Sequence, residues 1–212
     1  FNVVYNISNS ASQAQILVLP GGAMRMRDST NTPCITFNVE NGSQDIDLLV
    51  DAPITAGTGV GGLTKTGAGT AKFTRSNTYV GGTIVNAGTL VLGAGGNNAC
   101  VRGALTVNAG ATVTSSVANT LGIVNTLSTL NINGGTVDLS SGQHHVWGTK
   151  VNMVGGTLTF SSSTQNDHFN VVYTISNSTS QAQILAQPGG AMRMRSSTNT
   201  PCITFNVADG SQ

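Results

Sequence analysis

Apolar and polar residues alternate along most of the chain with the period of two that is typical of β-strands. In the run 35–40, for example, the odd positions are apolar and the even positions are polar. Because successive strand residues point to opposite faces, each strand is expected to bury one face and expose the other. No stretch of ten residues combines the 3.6-residue period with good helix formers, so the pattern predicts an all-β protein.

The beginning of the sequence recurs at its end. Residues 1–44 match residues 169–212 at 37 positions without a gap. The replacement of Leu19 by Gln187 indicates that this position faces water. Residues 1–168 are therefore predicted to be one tandem unit of arbitrary phase, and 169–212 the start of the next, in a piece cut from a longer array.

Turn glycines mark a shorter period inside the tandem unit. They are Gly22, Gly42, Gly69, Gly88, Gly110, Gly135, Gly156 and Gly190. Their mean spacing of about two dozen positions lies in the range of solenoid repeats. Glycine supplies the positive φ that a tight corner requires. A β-sandwich would also show short strands and frequent turns. Corners that recur in the same local sequence instead favour stacked coils, so we predict a parallel β-solenoid with about seven coils, rising roughly 34 Å, per unit.

Charge is scarce, since only 8% of the residues are Asp, Glu, Lys or Arg and the formal net charge is +1. A nucleic-acid partner would require clustered basic residues. The only such cluster is Arg25 and Arg27, which recurs as Arg193 and Arg195. Alternation turns these arginines outward and Met26 inward, as on a solvated strand face. We therefore expect no nucleic-acid partner. No run of about 18 apolar residues is present, so no membrane span is expected, and any export signal would lie outside this stretch.

Three carboxylates, Asp45, Asp47 and Asp51, share one parity and could bind Ca²⁺ or act as paired acids. A solvated strand face explains them equally well, and it is preferred because no basic residue accompanies them in the sequence. No nucleophile elbow, P-loop or Cys-x-x-Cys pair occurs. The sequence thus predicts no catalytic residue, no metal site and no cofactor.

His144 and His145 are neighbours, so on a strand their imidazoles point to opposite faces and do not readily share a metal. Trp147 has the parity of His145. These two residues are the candidate ligand contact of the chain, a place where sugar rings could be touched. The alternative is that the sole tryptophan packs or caps the solenoid.

The chain has three cysteines: Cys34, its copy Cys202, and Cys100. An exported protein meets an oxidising environment, so a bridge from Cys34 to Cys100 is conceivable. The coil count separates the two by three coils, about 14 Å, whereas a disulfide spans at most about 7 Å between Cα atoms. Buried thiols, or a bridge across a coil excursion, are therefore expected.

Residues 61–90 resemble the autotransporter-associated β-strand repeat of bacterial surface-protein passengers. The motifs that carry the resemblance are Gly61-Gly62-Leu63, Lys65-Thr66-Gly67, Gly69-Thr70, Asn77-Thr78-Tyr79, Gly81-Gly82-Thr83 and Asn86-Ala87-Gly88-Thr89-Leu90. The resemblance implies export, a right-handed parallel β-helix and display at the bacterial cell surface.

The function expected is that of a non-catalytic structural module in an extracellular or cell-surface fibre. Its partner is the chain itself, through end-to-end stacking with further copies, because a solenoid end leaves backbone groups unpaired. Neutral faces would also allow lateral bundling. The alternative is an adhesin that binds a host surface or glycan through residues 117–128 or 161–168. A polysaccharide-active enzyme is the remote alternative.

Overall fold

The computed structural model describes residues 2–26, 34–57, 59–97, 99–123, 126–176, 180–195 and 203–208. Within these ranges the regular structure is made of strands, without a helix. None of these residues therefore belongs to a helix able to span a bilayer. The strands are β1 (Val3–Ile7), β2 (Ala14–Leu17), β3 (Met24–Arg25), β4 (Ile35–Val39), β5 (Leu48–Asp51), β6 (Ile54–Thr55), β7 (Leu63–Thr66), β8 (Thr70–Phe73), β9 (Thr83–Val85), β10 (Gly88–Leu92), β11 (Gly103–Asn108), β12 (Ala111–Ser115), β13 (Leu127–Asn133), β14 (Thr136–Leu139), β15 (Val146–Trp147), β16 (Lys150–Met153), β17 (Gly156–Phe160), β18 (Asn166–Phe169), β19 (Val171–Ile175), β20 (Ala182–Ala186), β21 (Met192–Arg195) and β22 (Ile203–Val207).

The strands form three faces. The first sheet has the order β1-β4-β7-β9-β11-β13-β16-β19-β22, and the second has the order β2-β5-β8-β10-β12-β14-β17-β20. The third face consists of the pair β3-β6 and the trio β15-β18-β21. Every pairing between these strands is parallel. Because each strand pairs with its counterpart in the next coil, the prediction of a parallel β-solenoid is confirmed.

The coils differ in length. In the first sheet Val3 pairs with Ile35, and Ile35 pairs with Leu63. The next coil is much shorter, because Leu63 already pairs with Thr83. The coils therefore vary in length about the mean spacing of the turn glycines. The solenoid has about six turns, slightly fewer than predicted.

Equivalent positions of successive coils stack into columns. An inward apolar column of the second sheet contains Leu48, Ala71, Leu90, Val113, Val137 and Leu158. The outward column beside it contains Thr70, Thr89, Thr112, Thr136 and Thr157. Full burial stabilises each large apolar side chain by about 1.5–3 kcal/mol, so the inward columns hold the coils together.

Side-chain directions follow the predicted parity. Met26 is buried, Arg25 is exposed, and Leu19 is 85% exposed. Arg27 and Cys202 lie outside the described residues. Alternation was therefore a sound guide to which face each strand residue occupies.

The junction between the two tandem copies lies inside the chain. Strands β19, β20 and β21 repeat β1, β2 and β3, and they pair with β16, β17 and β18 at the end of the first unit. Tyr173 in β19 is fully buried, whereas its copy Tyr5 in β1 is only partly buried. β1 is the first strand of its sheet, and Tyr5 stacks on Phe37 of β4, at 5.3 Å between ring centroids. Tyr173 is more buried than Tyr5 because another coil precedes it.

Candidate binding surface on the third face

Several of the predicted turn glycines lie where the backbone of a neighbouring coil leaves no room for a side chain, whereas an added Cβ on Gly110 would meet nothing within 4 Å. Gly88, Gly110 and Gly156 have positive φ. At other corners a nearby glycine takes the positive φ, as at Gly21, Gly67, Gly134 and Gly189. A Cβ on Gly88 would lie 2.5 Å from the carbonyl oxygen of Gly69, and one on Gly156 would meet that of Gly135. These corners are structural, and the candidate chemistry lies on the third face.

Strands β15, β18 and β21 carry two outward ladders on that face. Trp147 pairs with Phe169, and Phe169 pairs with Arg195. Two residues earlier, Asp167 pairs with Arg193, and His145 approaches Asp167 from the coil before. We call these six residues the aromatic–arginine surface: His145, Trp147, Asp167, Phe169, Arg193 and Arg195.

Asp167 lies beneath the two arginines, with only 2% of its side chain exposed. Nε of Arg193 donates to Oδ1 at 2.5 Å, and one terminal nitrogen of Arg195 donates to Oδ2 at 3.1 Å. Burial alone would raise the pKa of this carboxyl group, but the hydrogen bond and charge of Arg193, helped by Arg195 and His145, lower the pKa below its usual value. Asp167 therefore stays ionised and holds both guanidinium groups in place.

Both arginine side chains remain partly exposed while they bind Asp167. The side chains of Arg193 and Arg195 are 42% and 53% exposed. A guanidinium carries five N–H donors in a planar fork, and each of these bonds to Asp167 uses one of them. His145 is largely covered, with Nδ1 at 3.3 Å from Oδ2 of Asp167. The surface thus presents two oriented cations above one buried anion.

Two aromatic rings continue this surface. Trp147 and Phe169 are partly exposed, with ring centroids 5.7 Å apart. The rings of His145 and Trp147 lie 5.9 Å apart, on one face as predicted. Nε1 of Trp147 is buried and has no hydrogen-bond partner among the residues that the structure describes. The exposed part of the indole is therefore carbon, which suits an apolar contact.

The inner side of the same coils holds the other two histidines. His144 and His168 are fully buried, and burial lowers the pKa of each to about 4. Nδ1 of His168 lies 2.6 Å from the Tyr173 hydroxyl. His144 and His145 thus point to opposite faces. In the described part of the chain, no three His, Cys, Asp or Glu side chains are grouped to hold a metal ion.

The three N-terminal carboxylates do not form one solvated row. Asp47 is buried and accepts hydrogen bonds from the backbone N–H groups of Gly42 and Thr70, at 2.7 and 2.8 Å. Asp51 accepts from Arg75 of the next coil, and Asp45 is exposed. The expectation that all three share one face without a basic neighbour was wrong. β5 begins at Leu48, so the period of two does not extend back through the turn.

Sequence reasoning also missed a buried lysine. Lys65 is fully buried, and Nζ donates to the carbonyl oxygens of Thr66, Gly67 and Ala87 at 3.1, 2.7 and 2.9 Å. Burial lowers its pKa to about 8, against the opposing charge of Asp47. The signal was available, because Lys65 has the inward parity of Leu63.

Cys34 and Cys100 are both buried and are not joined by a disulfide. The Cys100 thiol donates to the carbonyl oxygen of Phe73 at 3.4 Å, and burial raises the pKa of this thiol to about 11. A buried, protonated thiol is a poor nucleophile, so Cys100 contributes to packing.

Comparisons with known proteins agree with this architecture. The Passenger-associated-transport-repeat family matches residues 63–92, which include β7 to β10. Over 88 residues, 40% of this chain, the sequence is 39% identical to the adhesin BmaC autotransporter of Brucella suis biovar 1 (strain 1330). That alignment covers only 3% of the relative. No solved structure matches the chain. The segment 63–92, within this solenoid, is therefore similar to the passenger-associated transport repeat, in agreement with the resemblance drawn from its sequence.

Proposed function

We propose that the chain is a non-catalytic structural module of a cell-surface or secreted protein, in which tandem solenoid units stack end to end as a rod. The junction between the two copies carries this proposal. There, β16, β17 and β18 of the first unit pair with β19, β20 and β21 of the second in continuous parallel register.

The pairing of the internal copy of β1 supports the same arrangement. β1 pairs on one side with β4, whereas its copy β19 pairs with both β16 and β22. The two strands differ only in Asn6 and its counterpart Thr174. An unpaired strand edge is a template for a further strand. The edge of β1 therefore fits the last coil of another unit.

The positions of the carboxylates support a non-catalytic role. Each of three carboxylates already accepts hydrogen bonds within the protein. Asp47 accepts them from backbone N–H groups, Asp51 from Arg75, and Asp167 from Arg193 and Arg195. Paired acid chemistry on a polysaccharide requires two carboxyl groups that face the same substrate. The autotransporter relative and the passenger repeat support a location at the cell surface or outside the cell.

Hydrogen exchange on an extended chain tests the stacking. The amide of Val172 donates to Thr149 of the preceding coil, and Val4 is its copy in β1. When a further copy of residues 1–168 is fused before Phe1, hydrogen exchange at the Val4 amide should slow at least about 100-fold, because the amide gains this hydrogen bond. Val172 is the matched internal control and should not change.

The maximum dimension in solution scattering should also grow by roughly 34 Å for the added unit. If Val4 exchanges as fast in the extended chain as in the original one, the units do not stack and the proposal fails.

An adhesin is the second candidate function. The aromatic–arginine surface favours it, as does the similarity to the Brucella adhesin. Of the two segments expected to touch a ligand, residues 161–165 lead directly into β18 of this surface. Labelled chain should then bind host cells saturably and be displaced by unlabelled chain. Binding that does not saturate would remove this candidate.

A further inference from the structure

We propose that the aromatic–arginine surface binds an acidic glycan, whose carboxylate or sulfate groups pair with Arg193 and Arg195 while a sugar ring packs on Trp147 and Phe169. This inference rests on the adhesin candidate above and names the class of ligand.

The two arginines are oriented before any ligand arrives. Asp167 is buried below them and holds one nitrogen of each guanidinium group, while about half of each side chain faces solvent. A planar guanidinium matches the two oxygens of a carboxylate or sulfate group. Because Asp167 already restricts both side chains, less conformational entropy is lost when an anion binds.

The rings add a contact that a purely ionic surface lacks. Phe169 pairs with Trp147 on one side and with Arg195 on the other, so aromatic and cationic groups follow one another in a single column. Neighbouring strands lie about 4.8 Å apart, which is near the length of one sugar residue. The exposed carbon atoms of Trp147 suit packing against the C–H groups of a sugar ring. An acidic peptide would use the arginines but has no comparable need of the two aromatic rings.

The first copy shows that another coil leaves this position open. Arg25, the counterpart of Arg193, pairs with Thr55 of β6 and is still exposed. Threonine is too small to cover a guanidinium group. The position of Arg193 is therefore expected to remain accessible within a longer array.

Trp147 is the sole tryptophan, so its fluorescence reports directly on the surface. We would titrate the chain with a heparin octasaccharide, a hyaluronan octasaccharide, neutral dextran and polyglutamate, and measure affinities by calorimetry in parallel. The sulfated or the carboxylated octasaccharide should shift the emission and bind, and this binding should weaken as salt is raised. Dextran and polyglutamate should bind at least about tenfold more weakly. Heparin carries sulfate and carboxylate groups, whereas hyaluronan carries only carboxylate groups, so binding of heparin alone would assign the anion to sulfate and binding of hyaluronan would show that carboxylate suffices.

Arg195→Gln should weaken binding by about tenfold or more, and Arg195→Lys, which keeps the charge but loses the fork, by about threefold. Arg75→Gln is the matched control, since Arg75 also binds an aspartate, Asp51, but lies outside this surface. Far-UV circular dichroism checks the fold of each variant. If Arg195→Gln does not fold, the lysine variant decides.

Three results would overturn the proposal: no binding of either acidic octasaccharide, equal affinity for polyglutamate, or equal losses in Arg75→Gln and Arg195→Gln. If host-cell binding persists while the octasaccharides fail, the adhesin candidate stands and only the ligand class is wrong. If cell binding is absent as well, both fail together.

Discussion

Nδ1 of His168 lies 2.6 Å from the hydroxyl oxygen of Tyr173, and both side chains are closed off from solvent. The ring of His168 also packs edge-on against Phe160, at 4.8 Å between centroids. His144 is equally buried in the preceding coil, where its backbone N–H donates to Asn166. Burial lowers the pKa of both imidazoles to about 4, so the folded chain keeps them neutral.

These histidines should make the solenoid sensitive to mild acid. Histidine in an unfolded chain titrates near 6.5, above the folded value, so the unfolded state binds more protons as the pH falls from about 6.5 to 4. The free energy of unfolding must then decrease across this window. We expect a loss of about 5 kcal/mol between pH 7 and pH 4.5, roughly half from each histidine, measured by urea unfolding.

His144→Leu should remove about half of this pH dependence, because leucine fills similar space and does not titrate. The pKa values of Asp51 and Asp167 are lowered below 3.8, so the protonation of these two carboxylates affects the unfolding free energy mainly below this pH window. An unfolding free energy that is constant from pH 7 to pH 4.5 would show that the buried histidines do not titrate as described.

Gly88→Ala should destabilise the solenoid strongly. Gly88 has φ +63, and an added Cβ would lie 2.5 Å from the carbonyl oxygen of Gly69 in the coil below. Gly110 is the matched control, since its φ is +78 but nothing lies within 4 Å of an added Cβ. We expect Gly110→Ala to cost about 1 kcal/mol of unfolding free energy for the backbone conformation alone.

Gly88→Ala should cost about 3 kcal/mol or more, because the coils must also separate. Urea unfolding of both variants measures the difference. Equal losses would mean that the corner at Gly88 can relax and that close stacking of the coils is not what selects glycine there.

The period of two predicted most of the fold, because every second residue of a strand must point into the narrow interior of the solenoid. It placed Met26 inward and His145 beside Trp147, while the replacement of Leu19 by Gln187 in the second copy placed Leu19 outward. It could not reveal that Asp167 binds Arg193 and Arg195, since those residues are 26 and 28 positions away and meet only through the register of β18 on β21. Local alternation reports which face a residue occupies, whereas lateral contacts depend on coil lengths that vary.

Asp47→Ala should destabilise the chain by about 2–3 kcal/mol. The carboxylate accepts the N–H groups of Gly42 and Thr70, which would lose a buried acceptor. Asp45→Ala is the matched control two residues earlier, where the side chain is exposed, and should change the unfolding free energy by no more than about 0.5 kcal/mol. Similar unfolding midpoints in urea for the two variants would contradict the capping role of Asp47.

Lys65→Met tests the buried lysine through its pH dependence. Burial lowers the pKa of Lys65 to about 8, whereas an unfolded lysine titrates near 10.4, so the unfolded state binds more protons between these values. The contribution of Lys65 to the unfolding free energy must therefore rise as the pH increases through this window. Cysteine and tyrosine ionisation changes stability in the same range, but it affects the native chain and the variant equally.

The informative quantity is thus the difference between the native chain and Lys65→Met. It should shift in favour of the native chain by about 1–2 kcal/mol between pH 7 and pH 9.5, measured by urea unfolding at each pH. Lys72→Met in β8 is the control, since Lys72 has the outward parity on its strand and is only partly buried. The opposite outcome is that the unfolding free energies of both variants depend on pH in the same way as that of the native chain. Lys65 would then have an ordinary pKa, and its Nζ would not lie in a dry site among the carbonyl oxygens of Thr66, Gly67 and Ala87.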